Sequence, residues 1–303
     1  MADILIVGSG AMALLFGARL AASNHNITLF GSWQEGIEAV KKNGILMEDD
    51  QGLKRFPARG VTNLSDTDPV KFALFLVKSW QTEGTAKKLA SRLDPDGIVL
   101  TLQNGMGNVE ILSRILGNRH AVQGVTTCGA TLIGPGIVRS GGEGIISIQA
   151  HSRLDHLIAA LKVSGFSVRE VEDLAGLVWS KLIINVAINP ITALLNVNNG
   201  QLLDDHSSKQ IMGRAAREAG AVARALGIVL NYEDPVSAAE AVAYATANNI
   251  SSMLQDIRRG APTEIDALCG AVVRAGRSVN IETPVNEIMM YLIKARESLG
   301  RTS

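Results

Sequence analysis

Ile4-Leu-Ile-Val7, running straight into Gly8-Ser-Gly10-Ala-Met-Ala13, decides the fold of this 303-residue chain. Four consecutive apolar residues ending at a glycine predict a short buried strand, and the apolar segment 11–23 that follows predicts a helix. A glycine-rich turn between a strand and a helix is the setting of a dinucleotide fingerprint. Gly8 permits the tight turn, Gly10 lets backbone approach a pyrophosphate, and the helix start offers unpaired N–H groups at the positive end of its dipole. Ala13 stands where the fingerprint has its third glycine, a position that serves packing of helix on strand. Gly8, Ser9, Gly10, Ala11, Met12 and Ala13 are therefore the predicted cofactor loop; the alternative is a turn that binds nothing.

Outward from this loop the alternation continues. Strand patterns at 27–30, 72–77, 98–101 and 121–125 interleave with helix patterns at 33–42, 80–92 and 107–116, which predicts a parallel sheet covered on both faces. Asp49-Asp50-Gln51-Gly52 between two apolar runs reads as a hairpin inserted into the alternation. Residues 131–149, rich in glycine and β-branched residues, read as antiparallel edge strands. A helix at 153–163 and a strand at 167–171 complete the pattern. From Leu174 onward it is helical, at 174–195, 207–226, 235–247, 249–259, 263–278 and 284–298. The change in composition predicts a dinucleotide-binding domain over 1–172 and a helical substrate domain over 173–303.

Composition excludes several classes of function. Lys plus Arg and Asp plus Glu are equal at 29 each, and no basic stripe interleaves with aromatics, so neither nucleic acid nor a membrane surface is an expected partner. Cys128 and Cys269 stand far apart and the five histidines are scattered, so no disulfide framework and no metal is expected. The apolar N-terminus lacks a basic leader and turns glycine-rich after seven residues, and Lys181, Asn185 and Pro190 interrupt the longest apolar run. The chain reads as a cytoplasmic protein that binds a small molecule.

The second strand ends at Phe30-Gly31-Ser32-Trp33, without the acid that holds the adenosine ribose in NAD sites. That absence favours NADP, with Ser32 and Lys78 as the residues available to its extra phosphate. Gln103-Asn104-Gly105 follows another strand and belongs at the carboxyl edge of the sheet, where Asn104 can reach both cofactor and substrate or serve simply as a turn asparagine.

The second half carries the candidate chemistry. Lys181, Asn185 and Asn189 are spaced four apart in otherwise apolar sequence, which places one polar stripe on a helix whose remaining faces are buried. Burying an ammonium and two carboxamides is costly without partners, so the stripe should line a wet cleft. Reduction of a carbonyl needs an acid at the oxygen that becomes an alkoxide, a task suited to Lys181; the alternative is a lysine covering an apolar face. In the predicted helix 249–259, Asn249, Ser252 and Asp256 share a face. Thr263 with Asp266 reads as a capping box, which puts Glu264 in a first helical turn, where a carboxylate is favoured whatever its function.

Taken together, Gly8-Ser-Gly-Ala-Met-Ala13, Lys78-Ser-Trp-Gln81, Gln103-Asn-Gly105, Ser180-Lys-Leu-Ile-Ile-Asn185-Val-Ala-Ile-Asn189-Pro-Ile-Thr-Ala193, Asn198-Asn-Gly200, Ser251-Ser-Met-Leu-Gln-Asp-Ile-Arg258 and Thr263-Glu-Ile-Asp266 resemble the ketopantoate reductase (2-dehydropantoate 2-reductase) family over nearly the whole chain. The resemblance implies a Rossmann-type domain followed by an all-helical domain like the C-terminal domain of 6-phosphogluconate dehydrogenase. It also implies NADPH-dependent reduction of a 2-keto acid to pantoate, for pantothenate and coenzyme A. By position, Lys181 would be the general acid and Glu264 would support the substrate hydroxyl and the cofactor end. Asn104, Asn185, Asn189, Asn199, Asn249 and Ser252 would meet substrate, while residues 8 to 13, Ser32, Lys78, Asn104, Ala130 and Glu264 would meet NADP. Two departures are Ala13 for the third glycine and Ser32 where relatives often carry arginine. Two other readings stay open: a related dehydrogenase acting on another 2-oxo or β-hydroxy acid, and a non-catalytic NADP-binding sensor. A homodimer is the candidate assembly.

Overall fold

A computed structural model describes residues 1–300 and resolves two compact units, one formed by Met1–Gln103 with Asn108–Leu174 and the other by Asn104–Gly107 with the chain from Ala175 onward. In chain order the first unit contains β1 (Asp3–Val7), α1 (Ala11–Ala22), β2 (Asn26–Phe30), α2 (Gln34–Asn43), β3 (Ile45–Asp49), β4 (Gly52–Phe56), β5 (Arg59–Val61), β6 (Val70–Phe75), α3 (Thr82–Ala90), β7 (Leu93–Thr101), α4 (Asn108–Leu116), β8 (Ala121–Thr126), β9 (Ala130–Gly134), β10 (Ile137–Ser140), β11 (Ile145–Gln149), α5 (Asp155–Val163) and β12 (Ser167–Val171).

The main sheet runs in the order β12-β11-β8-β7-β6-β1-β2-β5. Every neighbouring pair in it is parallel except β8 with β11. Its strand pattern explains why both faces are covered. Side chains alternate along a strand, so Ile4 and Ile6 of β1 enter one core with α1 and α5, while Leu5 and Val7 enter a second core with Ala86 and Leu89 of α3 and Leu112 of α4. Strand order reverses between β1 and β6, the switch point at which ligands bind open sheets of this kind.

The hairpin predicted at 49–52 forms as β3–β4 and the antiparallel strands predicted over 131–149 form as β9, β10 and β11, but these strands divide between two sheets. The β3–β4 hairpin and the β9–β10 hairpin join into a separate four-stranded sheet, β4-β3-β10-β9, through a parallel pairing of β10 with β3. β11, by contrast, enters the main sheet. β11 is buried at the three consecutive residues Ile146, Ser147 and Ile148, whereas β3, β4, β9 and β10 are mostly partly or fully exposed; which strand pairs with which is a long-range matter that short patterns do not encode. The short strand β5, which holds one edge of the main sheet, has no sequence signal of its own beyond Gly60-Val61.

The second unit is helical: α6 (Ala175–Leu195), α7 (Gln201–Asp204), α8 (His206–Ala225), α9 (Pro235–Ala245), α10 (Ser252–Arg258), α11 (Cys269–Ser278) and α12 (Pro284–Leu299). α6 is long and apolar enough by length and composition to cross a membrane, yet most of it is buried in this protein, where Leu182, Ile183, Val186, Ala187 and Ile191 form the centre of the helical core. Asp205 caps α8 and Asp234 caps α9, each accepting backbone N–H groups of the first turn. Glu218 of α8 does the same for α12, accepting from the N–H groups of Val285 at 2.8 Å and Asn286 at 3.0 Å.

Two predicted helix starts are displaced. α10 begins at Ser252, not 249, because Ser251 is its cap and accepts from Leu254 N–H at 3.2 Å; Asn249 therefore lies in the preceding turn and not on a helical face with Ser252 and Asp256. α11 begins at Cys269, not 263. Thr263 accepts from Ile265 N–H at 3.3 Å in a local turn, and Asp266 pairs with Lys294 at 2.6 Å, so no capping box forms.

Candidate active site

In the first unit the glycine loop is shaped by close backbone approach. Gly8 has φ +141°, and a Cβ there would stand 3.0 Å from the carbonyl carbon and oxygen of Leu76. Its N–H donates to Phe30 O at 2.7 Å, while Leu76 N–H donates to Val7 O at 2.8 Å. The turn is thereby wedged between the ends of β2 and β6, at the switch point. Gly10 caps α1 with no side-chain hydrogen bond to the first turn, and nothing lies within 4 Å of the Cβ it lacks. Uncapped N–H groups beside open space at a helix start are the geometry that accepts a phosphate, so the residues present fit a dinucleotide. Ala13 is fully buried in the core against the sheet, which accounts for a small residue there.

Around that turn the structure gathers the adenosine-side candidates. Gly31 allows β2 to end beside Ser9, since a Cβ on it would lie 2.6 Å from Ser9 Oγ. Ser32 is exposed and its Oγ accepts from Gln81 Nε2 at 3.3 Å, while Gln81 Oε1 accepts from Lys78 N–H at 3.3 Å. Gln81 thus bridges Ser32 and Lys78. Spacing within the chain did not single it out, because its role depends on a residue 49 positions away. Ala130 is the half-buried first residue of β9, paired with Ser140 in the small sheet.

Below the sheet edge Gln103 donates through Nε2 to Val77 O at 2.8 Å and to Thr82 Oγ1 at 2.9 Å, and Thr82 Oγ1 lies 3.0 Å from Asn108 Oδ1. This polar network fixes the ends of β6 and β7 relative to the starts of α3 and α4. Immediately after Gln103 the chain joins the helical unit. Gly105 has φ +79°, and a Cβ on it would meet Ala267 O at 2.5 Å; Met106 N–H donates to that same oxygen at 2.9 Å. Asn104 is accordingly tied to the turn that carries Glu264.

In the second unit, the half-buried residues of α6 are Leu177, Val178, Lys181, Ile184, Asn185 and Leu194, while Asn189 is buried at 8% exposure. Lys181 and Asn185 thus share the more open strip of the helix, and the stripe passes into the interior at Asn189. The turn bearing Lys181 is held from outside the helix: Ser180 Oγ accepts from Asn231 N–H at 3.1 Å, and Tyr232 donates its phenol to Ser180 O at 3.0 Å. Burial pushes the Tyr232 phenol up to about 12, so it remains a donor throughout the physiological range.

The remaining candidates fall into two turns and one helix start. Asn199 N–H donates to Asn249 O at 3.0 Å and Asn199 Nδ2 to Thr246 Oγ1 at 2.9 Å, which brings these two asparagines together. Asn199 Oδ1 is buried with no hydrogen-bond partner, leaving an acceptor for a donor that the protein does not supply. Ser252 is exposed at the start of α10, the capping duty having fallen to Ser251. Glu264 is buried, at 7% exposure, in the turn before α11. With the helix starting five residues later, a helix dipole does not account for a carboxylate at that position. Asp256, also buried, pairs with Arg259 at 2.8 Å. Among the described residues, no three His, Cys, Asp or Glu side chains are grouped to hold a metal ion.

The family profile described as ketopantoate reductase PanE/ApbA matches residues 4–153, and its C-terminal counterpart matches residues 173–297. The chain belongs to the ketopantoate reductase family. Curated relatives in this family include the 2-dehydropantoate 2-reductases of Pyrococcus horikoshii, 34% identical over 98% of both chains, and of Halobacterium salinarum, 33% identical over 98% of this chain and 99% of the relative. Among solved structures, a PanE/ApbA family ketopantoate reductase from Ralstonia eutropha superposes with TM-score 0.92 at 29% identity, covering 99% of each chain. A D-mandelate dehydrogenase solved with NADH and anilino(oxo)acetate also superposes with TM-score 0.92, at 25% identity and 99% coverage of each chain. Ketopantoate reductases are dinucleotide-dependent oxidoreductases, and this chain has the fold of the family, a parallel-sheet unit followed by a helical one.

Proposed function

We propose that this protein reduces ketopantoate to pantoate with NADPH, in the route to pantothenate and coenzyme A. The observation that carries the reading is the joint presence of Lys181 on the more open strip of α6 and a buried Glu264 in the turn before α11, in a chain whose curated relatives are 2-dehydropantoate 2-reductases. The glycine loop from Gly8 to Ala13 holds the pyrophosphate on the N–H groups of α1. Ser32 and Lys78, held in register by Gln81, receive the adenosine 2′-phosphate; no carboxylate stands at 31–33 to repel it. Ala130 lies along the same cofactor.

Bound nicotinamide supplies the hydride that adds to C2 of the keto acid. Lys181 donates its proton to the oxygen at C2 as that oxygen gains negative charge, so the C=O bond becomes C–OH and the lysine is left neutral until solvent reprotonates it. Asn185, Asn189, Asn199, Asn249 and Ser252 hold the substrate's carboxylate and hydroxyl, which fixes the face of the ketone presented for attack. Asn199 Oδ1, an acceptor without a protein donor, suits a substrate hydroxyl. Glu264, with Asn104 anchored to the same turn through Met106, supports that hydroxyl and the nicotinamide end of the site.

Steady-state reduction of ketopantoate, followed with NADPH and NADH in parallel, tests this reading. Turnover is expected with NADPH at the higher kcat/KM; absence of turnover with either cofactor rejects it. The likeness to a D-mandelate dehydrogenase favours one second reading, a related reductase of another 2-oxo acid. A panel of branched and aromatic 2-oxo acids in the same assay separates the two.

A further inference from the structure

We propose that Thr192 and Ser251 form a positioning pair that sets Asn189 relative to Ser252, and so determines how tightly the keto acid is held; this rests on the reductase reading above. α6 contains Pro190, which has no N–H to give to the carbonyl four residues earlier, so the helix loses one rung just beyond Asn189. Two residues on, the fully buried Thr192 adds bonds of its own. Its Oγ1 lies 3.0 Å from both Ile188 O and Asn189 O, and 2.7 Å from Ser251 Oγ.

The direction of these bonds follows from which atoms carry hydrogen. Carbonyl oxygens only accept, so the single Thr192 proton belongs to the contacts with Ile188 and Asn189. Ser251 Oγ already accepts from Leu254 N–H as the cap of α10, which leaves its own proton for Thr192. A directed chain therefore runs from the cap of α10 through Thr192 to the main chain of Asn189. It joins two proposed substrate positions, since Ser252 is the first residue of α10. Ser252 is exposed and available to a ligand, whereas Thr192 and Ser251 are buried and act on substrate only through their neighbours.

Loss of the Thr192 hydroxyl strands the Ser251 proton in the interior and frees the start of α10 to shift. Displacements of that kind weaken substrate orientation without touching the nucleotide loop. The test uses the full-length protein carrying Thr192→Val, Thr192→Ser, Ser251→Ala and the Val/Ala double substitution. The readouts are kcat and KM for ketopantoate at saturating NADPH, with the NADPH Kd measured separately by fluorescence.

Thr192→Val is expected to raise the ketopantoate KM about tenfold while the NADPH Kd stays within about twofold. Thr192→Ser, which keeps the oxygen, restores the wild-type KM, and the double variant is no worse than the weaker single one because both remove the same link. An unchanged KM in folded Thr192→Val, failure of serine to rescue, or a parallel loss of NADPH affinity overturns the proposal. If the wild type does not turn over ketopantoate, the reductase reading fails by itself and hydrogen exchange at the Leu254 amide decides for the pair. Exchange about tenfold faster in Thr192→Val supports the link, and an unchanged rate rejects it.

Discussion

At the residue scale, Lys181 is a half-buried ammonium whose helix turn is pinned by Tyr232 and Asn231 at Ser180. Its proposed work as a proton donor makes a sharp prediction. Lys181→Ala should lower kcat by a factor of roughly 10² to 10⁴ while leaving the NADPH Kd unchanged. Retention of more than about a tenth of wild-type kcat would reject the acid role. The lysine and the asparagines four and eight residues later were legible because helical spacing alone aligns them. Gln81 and the Thr192–Ser251 contact were not, since each joins residues about 50 or more apart in sequence. Glu264 stood between the two cases, with a structural and a catalytic reading equally open; the start of α11 at Cys269 removes only the first-turn account of its carboxylate.

At the scale of elements, the starts of α8, α9 and α12 are held by the carboxylates of Asp205, Asp234 and Glu218. Asp234 accepts from the hydroxyl and N–H of Ser237 at 2.6 and 2.9 Å and from Val236 N–H at 3.4 Å, and these donors hold its carboxyl below the usual carboxylate range, the hydroxyl contributing most. A carboxyl depressed in the folded state stabilises the fold fully above its unfolded value of about 4 and loses that contribution as pH falls through the folded value. Asp234→Asn should therefore flatten the acid limb of stability below about pH 4, as followed by circular dichroism, relative to the wild type. An acid limb identical to the wild type would show that the cap does not titrate with folding. Most strands and helices were legible from period and punctuation. Two helix starts were misplaced because Asn249 is as good a cap by residue type as the Ser251 that does cap α10, and Thr263 is a far better one than the Leu268 that precedes α11 without a side-chain cap.

At the scale of the whole molecule, one short segment departs from the order of the chain: Asn104–Gly107 groups with the helices although it lies between β7 and α4 of the first unit. Gly105 makes this arrangement sterically feasible. Gly105→Ala places a methyl group 2.5 Å from Ala267 O at a φ of +79°, and should cost roughly 1–3 kcal/mol in urea unfolding and reduce kcat/KM by moving Asn104. An unchanged unfolding midpoint would mean that the loop relaxes freely. By itself, the sequence determined the Rossmann-type strand–turn–helix start, the alternating parallel sheet, the helical second half and the polar stripe of α6, because each is a local pattern of period, glycine and charge. Only the tertiary structure decided which hairpins build the second sheet, that the Gln103 network lies beneath the sheet edge, that Asn199 meets Asn249, and that Glu264 lies outside a helix. The first three are pairings between distant segments, whose energies come from contacts that exist only once the chain has closed on itself, and the fourth follows from the start of α11 at Cys269.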